Sequence, residues 1–442
     1  MRYPCNILEF CLMFLLKKFI PSNKQKFGLA TLAASSAALL ALATPAAANP
    51  LTFSRKLIAP DGASGDNFGH SIALDGNYAL ISAPGDDDNG TESGSAYLFD
   101  TTTGDFLQKL IAPDGASDDN FGQSLALDGD YALIGSYLDD NDNGTDSGSA
   151  YLFDTTTGNF LQKLTAPDGA ISESFGYSVA LDGNYALIGS YYYNEGNGSS
   201  SAYLFDITTG DLLQKLTAPD DAHYDYFGQS VAIDGDYALI GASHEGDAIG
   251  SAHLFDTTTG NLLQTYSGNN LKFGSSVALE GDSALIGSPS EGIWNGSAYL
   301  FSTTTGNLLQ RFCCGSNWSA FSHSVALDGN YALIGTDAQY RGEAYLFDTS
   351  TGDLVQRIVP PDGDDFDYFY YPIDHSFGKS VALDGNSVLI GFTYSDGNVT
   401  NSGSAYLFTL ETEKVPEPSA VLGLIAIGTL AAFKRSSRQQ KQ

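Results

Sequence analysis

The chain has 442 residues, of which 43% are hydrophobic and 16% charged, with 49 Gly, 25 Tyr and 26 Phe. This composition excludes a disordered chain and a helical bundle, and suits an all-β protein with many turns. The formal net charge is −32, and nine of the 20 Lys and Arg residues lie in the two termini, so the body between them is more acidic still. Such a surface repels DNA, RNA and anionic lipid headgroups, and nucleic acid is excluded as a partner.

In chain order, the first element is an address. Lys17, Lys18, Lys24 and Lys26 precede an apolar run from Phe27 to Ala43, followed by the small-residue triplet Ala46-Ala47-Ala48. This is the order of a secretory signal peptide, expected over residues 1–48 with Ala46 and Ala48 at the cleavage site. The first 15 residues are surplus to that pattern and place the start near Leu16. Export through the Sec pathway follows. Cys5 and Cys11 precede the cut, Cys313 and Cys314 are adjacent, and no Cys/His zinc spacing exists, so the chain is no disulfide scaffold.

The body repeats itself. FGxS occurs at Phe68, Phe121, Phe175, Phe227, Phe273 and Phe377, with FSHS at Phe321. The spacing of about 50 residues is that of propellers or solenoids. Each unit holds four short apolar stretches, in the second copy SLALDG, DYALIGS, GSAYLFDTTTG and NFLQKLTAP. They have strand length, are rich in β-formers and are bounded by turn residues. LDGN or LDGD predicts a tight Asp-Gly hairpin between the first two, and DTTTG another between the last two. Seven such units predict an all-β, seven-bladed β-propeller with four antiparallel strands per blade, spanning residues 49–414. The last copy lacks its fourth strand, whereas RKLIAP near the N-terminus is an orphan of that type. Arg55–Pro60 is therefore expected to complete the last blade and close the ring.

FGxSVALDGNYALIG followed by GSAYLFD resembles the FG-GAP repeats of integrin-α-type propellers, and more closely their bacterial secreted relatives. The first copy keeps Phe68-Gly69 and, as Ser82-Ala83-Pro84, a near Gly-Ala-Pro. The resemblance departs where integrin repeats carry a calcium loop. Only LDGN or LDGD stands there, too short for six or more oxygen ligands.

The repeated residues read as scaffold, so function is sought where the copies differ. Strand alternation puts the two-to-three and four-to-one connections on one face, and these vary: they are acidic and studded with aromatics. Asp139, Asn141, Asn143 and Ser147, with Gly144, fall at alternate positions of a DxDxDG-like loop and are candidate Ca²⁺ ligands. Tyr191, Tyr192, Tyr193, Trp294, Trp318, Phe366, Tyr368 and Tyr370 offer flat faces for sugar rings or a protein partner. The residue after each FG also varies (His70, Gln123, Tyr177, Gln229, Ser275, His323, Lys379), and on an inner strand it forms a candidate polar ring at the channel.

At the C-terminus Pro416-Glu417-Pro418 leads into about 14 apolar residues and a basic tail, residues 415–442. This closely resembles the PEP-CTERM sorting signal of Gram-negative bacteria. The resemblance implies an exosortase-type sorting enzyme as partner, an association with exopolysaccharide, and membrane contact only through this segment.

No HExxH, GxSxG or GxxxxGK(S/T) occurs, and enzyme chemistry is not expected. The expected function is an exported binding or adhesion propeller of the cell surface or exopolysaccharide matrix, with extracellular polysaccharide or a surface protein as partner. The alternatives are a polysaccharide hydrolase or lyase on the same scaffold, and a passive structural matrix protein.

Overall fold

Two kinds of apolar segment recur, and burial separates them. In YALIGS, Tyr131–Ser136, every residue after Tyr131 is buried. In FLQKL, Phe160–Leu164, the first two residues are exposed and Leu164 is buried. A strand buried on both faces lies between packed sheets, whereas a half-buried one lies near an edge. The computed structural model has this arrangement. It describes residues 51–191, 200–219, 226–243, 249–289, 296–313, 320–337, 342–361 and 377–410.

Among the described residues, 28 strands form seven four-stranded antiparallel sheets, numbered here in chain order. After β1 (Leu51–Leu57), the first blade is β2–β5 (Ile72–Asp75, Tyr78–Ala83, Ser95–Asp100, Phe106–Leu110) and the second β6–β9 (Ser124–Asp128, Tyr131–Ser136, Ser149–Asp154, Phe160–Leu164). The third is β10–β13 (Phe175–Asp182, Tyr185–Ser190, Ser201–Asp206, Leu212–Thr217) and the fourth β14–β17 (Phe227–Asp234, Tyr237–Ala242, Ile249–Asp256, Leu262–Leu271). The fifth is β18–β21 (Val277–Glu280, Ser283–Ser288, Ser297–Ser302, Leu308–Phe312) and the sixth β22–β25 (Ala320–Asp328, Tyr331–Asp337, Ala344–Asp348, Leu354–Ile358). The seventh joins β26–β28 (Val381–Asp384, Ser387–Phe392, Ser404–Leu410) to β1. Inner strands touch their neighbours around the whole circuit, β26 against β2 included. The chain is an all-β, seven-bladed propeller.

Closure by the N-terminal strand holds with a corrected boundary. β1 pairs with β28 from Leu51↔Leu410 to Leu57↔Ala405, not over Arg55–Pro60. Ile58-Ala59-Pro60 has already left the sheet, as a proline without an N–H must where the ladder needs a donor.

The Asp-Gly hairpin is also displaced by one residue. Asp75 still pairs with Tyr78, so Gly76 and Asn77 are the two central residues. Gly76 has φ +54°, the left-handed first position of a type II′ turn. The aspartate thereby points its carboxylate at the next blade. Gly76 N donates to Asp384, Gly129 N to Asp75, Gly183 N to Asp128 and Gly235 N to Asp182. Gly281, Gly329 and Gly385 continue the series onto Asp234, Glu280 and Asp328. Seven carboxylates link seven blades head to tail. These turns and the DTTTG turns occupy one end of the ring, the constant face. The variable connections meet at the other end, where Asp118 N donates to Thr91 O and Phe121 N to Ser93 O.

Candidate functional site at the channel mouth

The FGxS motif fixes one variable position on the inner side of each blade. Phe121 is fully buried and packs edge-on against Tyr151 at 5.5 Å and Phe153 at 6.0 Å. Gly122 has φ +97°, and a Cβ there would stand 2.9 Å from Ser95 O, so only glycine fits. Ser124 Oγ then donates to Gly176 O of the following blade, and Ser178, Ser230, Ser324 and Ser380 make the same hook. With the Phe anchored behind it and the Ser hooked ahead, the residue between them is held in place on the inner strand, and in four blades it lines a cavity.

These residues do converge. A cavity of about 250 Å³ at the variable end is lined by Tyr177, Gln229, Ser275 and His323, together with Tyr191, Tyr226 and Lys272. Tyr177 and Tyr191 stack tilted at 4.8 Å, Tyr191 meets Tyr226 edge-on at 4.8 Å, and Tyr137 meets Tyr177 at 5.7 Å. Ser243 Oγ donates to Gln229 Oε1. Burial, reinforced by the Lys379 charge, pushes His70 down to about 3 despite a hydrogen bond with Gln123. Burial also lowers His323, helped by Lys379 and Lys272 and opposed by Asp337, 3.9 Å away. Both imidazoles are therefore neutral near pH 7. Of the seven positions singled out in the sequence, four line the cavity, while Gln123 and Lys379 act on His70 and Lys379 on His323.

Sequence reasoning missed the second tier of the mouth. Asn67, Asn120, Ser174, Tyr226 and Lys272 each precede an FG and share a left-handed backbone, φ 54° to 61°. Asparagine tolerates that conformation, whereas Tyr and Lys adopt it at a cost. Tyr226 and Lys272 bring a ring and an ammonium group to the mouth through it. The signal was available: the position is occupied by Asn or Ser in four of the seven copies, by Ala in one, and by Tyr and Lys in two.

The acidic loop of the second blade is built differently from a calcium cage. The Asp139 carboxylate accepts from Ser149 Oγ at 2.6 Å and from Tyr151 OH at 2.7 Å, and meets Lys163 Nζ at 2.9 Å. Asn141 Oδ1 accepts from Asn143 N, and its amide donates to Gly148 O. Asn143 donates to Ala166 O, and Ser147 to Gly144 O. The four residues are engaged with one another and with neighbouring groups, and an ammonium group already stands against the one carboxylate, an arrangement unlike an open calcium cage. Among the described residues no cluster of His, Cys, Asp or Glu is spaced to hold a metal.

What the loop builds is a latch that recurs around the ring. The Tyr151 hydroxyl, with one hydrogen shared between the two carboxylates, also lies 3.0 Å from Asp114, and Lys163 reaches Asp114 while lying over the Tyr151 ring. Asp114 comes from the connection that leaves the preceding blade. Tyr97 with Asp61, Asp86 and Lys109 repeats the arrangement, as do Tyr203, Asp168, Glu173 and Lys215. Burial, then the neighbouring carboxylates, push all three tyrosine hydroxyls far upward, so they remain donors. In the fourth blade His253 replaces the Tyr and Thr265 the Lys, and the two still touch at 3.2 Å.

Of the aromatic candidates, Tyr191 lies in the mouth. Tyr192, Tyr193, Trp294, Trp318, Phe366, Tyr368 and Tyr370 lie outside the described residues, as do Ala46, Ala48, Pro416, Glu417 and Pro418. Among the described residues no helix is long and apolar enough to cross a membrane.

Comparison with known proteins follows the same geometry. The family model described as FG-GAP repeat matches residues 51–99, 105–153, 159–205, 211–255, 268–301 and 353–408. Its first unit runs from β1 through β4, one strand out of phase with the blade. Among solved structures, the β-propeller domain of Myceliophteria thermophila Cps50 (Swd1) is similar at 14% identity and TM-score 0.53, covering 82% of this chain and 100% of that one. Kuenenia stuttgartiensis hydrazine synthase is similar at 14% identity and TM-score 0.52, covering 75% and 94%. At that identity the likeness is one of fold. No curated protein matches.

Proposed function

The chain belongs to the FG-GAP repeat family, and from that premise we propose that it is an exported, non-enzymatic binding propeller of the cell surface or exopolysaccharide matrix. Its variable face would hold extracellular polysaccharide or a surface protein. The N-terminal signal-peptide pattern supports export, and the C-terminal likeness to a PEP-CTERM segment supports delivery by an exosortase-type enzyme to a Gram-negative-type envelope.

The observation that carries this reading is the segregation of the two faces. The constant face is filled by seven equivalent inter-blade links, six through Asp and one through Glu280, and the variable connections lie at the other end around an open polar cavity. A rigid scaffold presenting variable loops around a concave site is a common arrangement for recognition.

The test is a pull-down of the purified protein on the producing organism's own exopolysaccharide, with calcium and with chelator. Retention unchanged by chelator is expected, because the acidic loop is held by Lys163 and Tyr151 rather than by a metal. Retention abolished by chelator would refute that account of the loop. No retention would remove the polysaccharide as partner, and turnover of the polymer would replace binding by an enzymatic reading.

A further inference from the structure

An uncovered apolar belt runs round the rim of the ring at its constant end. Twelve of the sixteen exposed large apolar side chains among the described residues stand where an outer strand leaves that end, on all seven blades. They flank one recurring irregularity. Phe106 pairs with Phe99 and Gln108 with Leu98, so Leu107 is an extra residue, 45% exposed. The outer strand of every other blade is bulged at the equivalent place. A bulge protects an edge strand against the addition of a further strand, yet here it leaves neighbouring apolar side chains in solvent. All the turns of the constant end belong to the described residues, so no internal loop remains to cover the belt.

One segment of the chain has both the chemistry and the position to cover it. β28 ends at Leu410 against β1 at this end, with the exposed Phe53 on the same strand pair. The sixth and first blades lie on either side: Leu51 N donates to Gln356, and Arg55 donates to Thr102 O. Residues 411–419 lead from Leu410 to the apolar run 420–433, and can reach about 30 Å when extended. That run falls short of the roughly 20 residues that cross a bilayer. Lys434, Arg435, Arg438 and Lys441 follow it, whereas the turns of the constant end carry the exposed Asp105, Asp130, Asp211 and Asp353. The segment thus complements this end in both polarity and charge. A second copy of the ring is the poorer partner, because it would set two arrays of carboxylates against each other. Tethering favours the segment further, since a short linker holds it near the belt at an effective concentration on the order of millimolar.

We infer that residues 420–442 dock on the chain's own propeller. The apolar run covers the belt of the sixth, seventh and first blades, around Leu354, Phe53, Phe106 and Leu107, and the basic residues lie over the carboxylates of the constant end. The contact takes two apolar surfaces out of water at once and keeps the tail from other apolar partners. It does not depend on what the mouth binds.

Amide hydrogen exchange tests it, comparing residues 49–442, which contain the whole closed ring, with residues 49–414. Exchange over residues 51–57, 106–110 and 354–358 is expected to be at least about tenfold slower with the tail present, and exchange over 212–217 and 262–267 on the far blades unchanged. Residues 106–110 and 354–358 lie in other sheets than β1, so fraying of β1 in the shorter protein cannot mimic the result. The protection should be independent of protein concentration. The double variant Leu107→Asn, Leu354→Asn should lose it while keeping its melting temperature, since both side chains are exposed, and Leu213→Asn should retain it. Equal exchange in the two lengths would overturn the inference. So would protection that rises with concentration, which would identify a second copy, or equal slowing on all seven blades. Comparison of the two unmutated lengths keeps the test decisive even if a variant misfolds.

Discussion

Tyr151 is an instance of a residue whose constancy across the repeats hid its work. In AYLFD it reads as a strand residue of the period-2 pattern, and it is indeed fully buried. Its hydroxyl, though, joins two carboxylates from different connections, Asp139 and Asp114. The partners lie 12 and 37 residues away, so no local pattern could pair them. Against burial, which raises it, hydrogen bonds from Lys163 and Tyr151 hold Asp114 below the usual carboxylate range. Tyr151→Phe keeps the ring and deletes one donor to two charged groups. A loss of about 1.5–3 kcal/mol is expected, the usual range for a hydrogen bond to a charge, seen as a lower urea midpoint with unchanged slope. His70 gives a prediction in pH. Its folded value is about 3 against 6.5 for the free side chain, so the unfolded chain takes up the proton first as pH falls. The neutral-state contribution is complete above pH 6.5 and is lost between 6.5 and 3. The stability gap between the wild type and His70→Gln should be constant above pH 7 and shift in the variant's favour as pH falls through that window. A gap independent of pH would show that the His70 ring is not held neutral by its surroundings.

At the level of the element, periodicity told most of the story. Strand type, strand number and the tight turns were all legible, because each apolar stretch is bounded by Gly, Asp, Asn or Pro and because seven copies averaged out local ambiguity. The errors were of a residue or a few. RKLIAP was matched to QKLTAP correctly, with Leu57 equivalent to Leu110, but Ile58-Ala59-Pro60 belongs to the connection and Leu51-Thr52-Phe53 to the strand. LTF carries no feature shared with the other outer strands, since it extends past a bulge between Phe53 and Arg55. Deleting residues 51–57 removes two buried leucines, worth about 1.5–3 kcal/mol each, together with one side of the β28 ladder. A loss of several kcal/mol and a broadened thermal transition are expected. A melting temperature equal to that of the intact protein would show that the ring does not depend on β1.

For the molecule as a whole, the sequence made the ring readable but not what fastens it. The Asp of LDG was read as a turn former, yet its carboxylate serves the neighbouring blade, and Gly76 to Asp384 spans 308 residues. The same limit applied to the mouth. Variation at the residue after FG drew attention to positions of which four line the cavity, because propeller topology brings equivalent positions toward one axis. The cavity's second tier, Tyr226 and Lys272, depended on a left-handed backbone that spacing does not reveal. The acidic loop shows the limit from another side, since alternate oxygen-bearing residues look alike whether they surround a cation from solution or one supplied by the chain, here Lys163.

The pairing of Leu51 with Leu410 has a mechanical consequence. β28 begins beside the variable connections and ends at the constant face, between β27 and β1. A tether continuing beyond Leu410 would therefore depart from the end of the ring opposite the mouth, leaving the mouth turned away from whatever holds the tether. Tension between a ligand in the mouth and that tether would run along β28 and load its two hydrogen-bonded ladders in shear, all rungs at once. Tension applied instead between Leu51 and Leu410 would open the β1–β28 ladder one rung at a time. The propeller should thus withstand a pull through its binding face far better than the same pull across its own two ends.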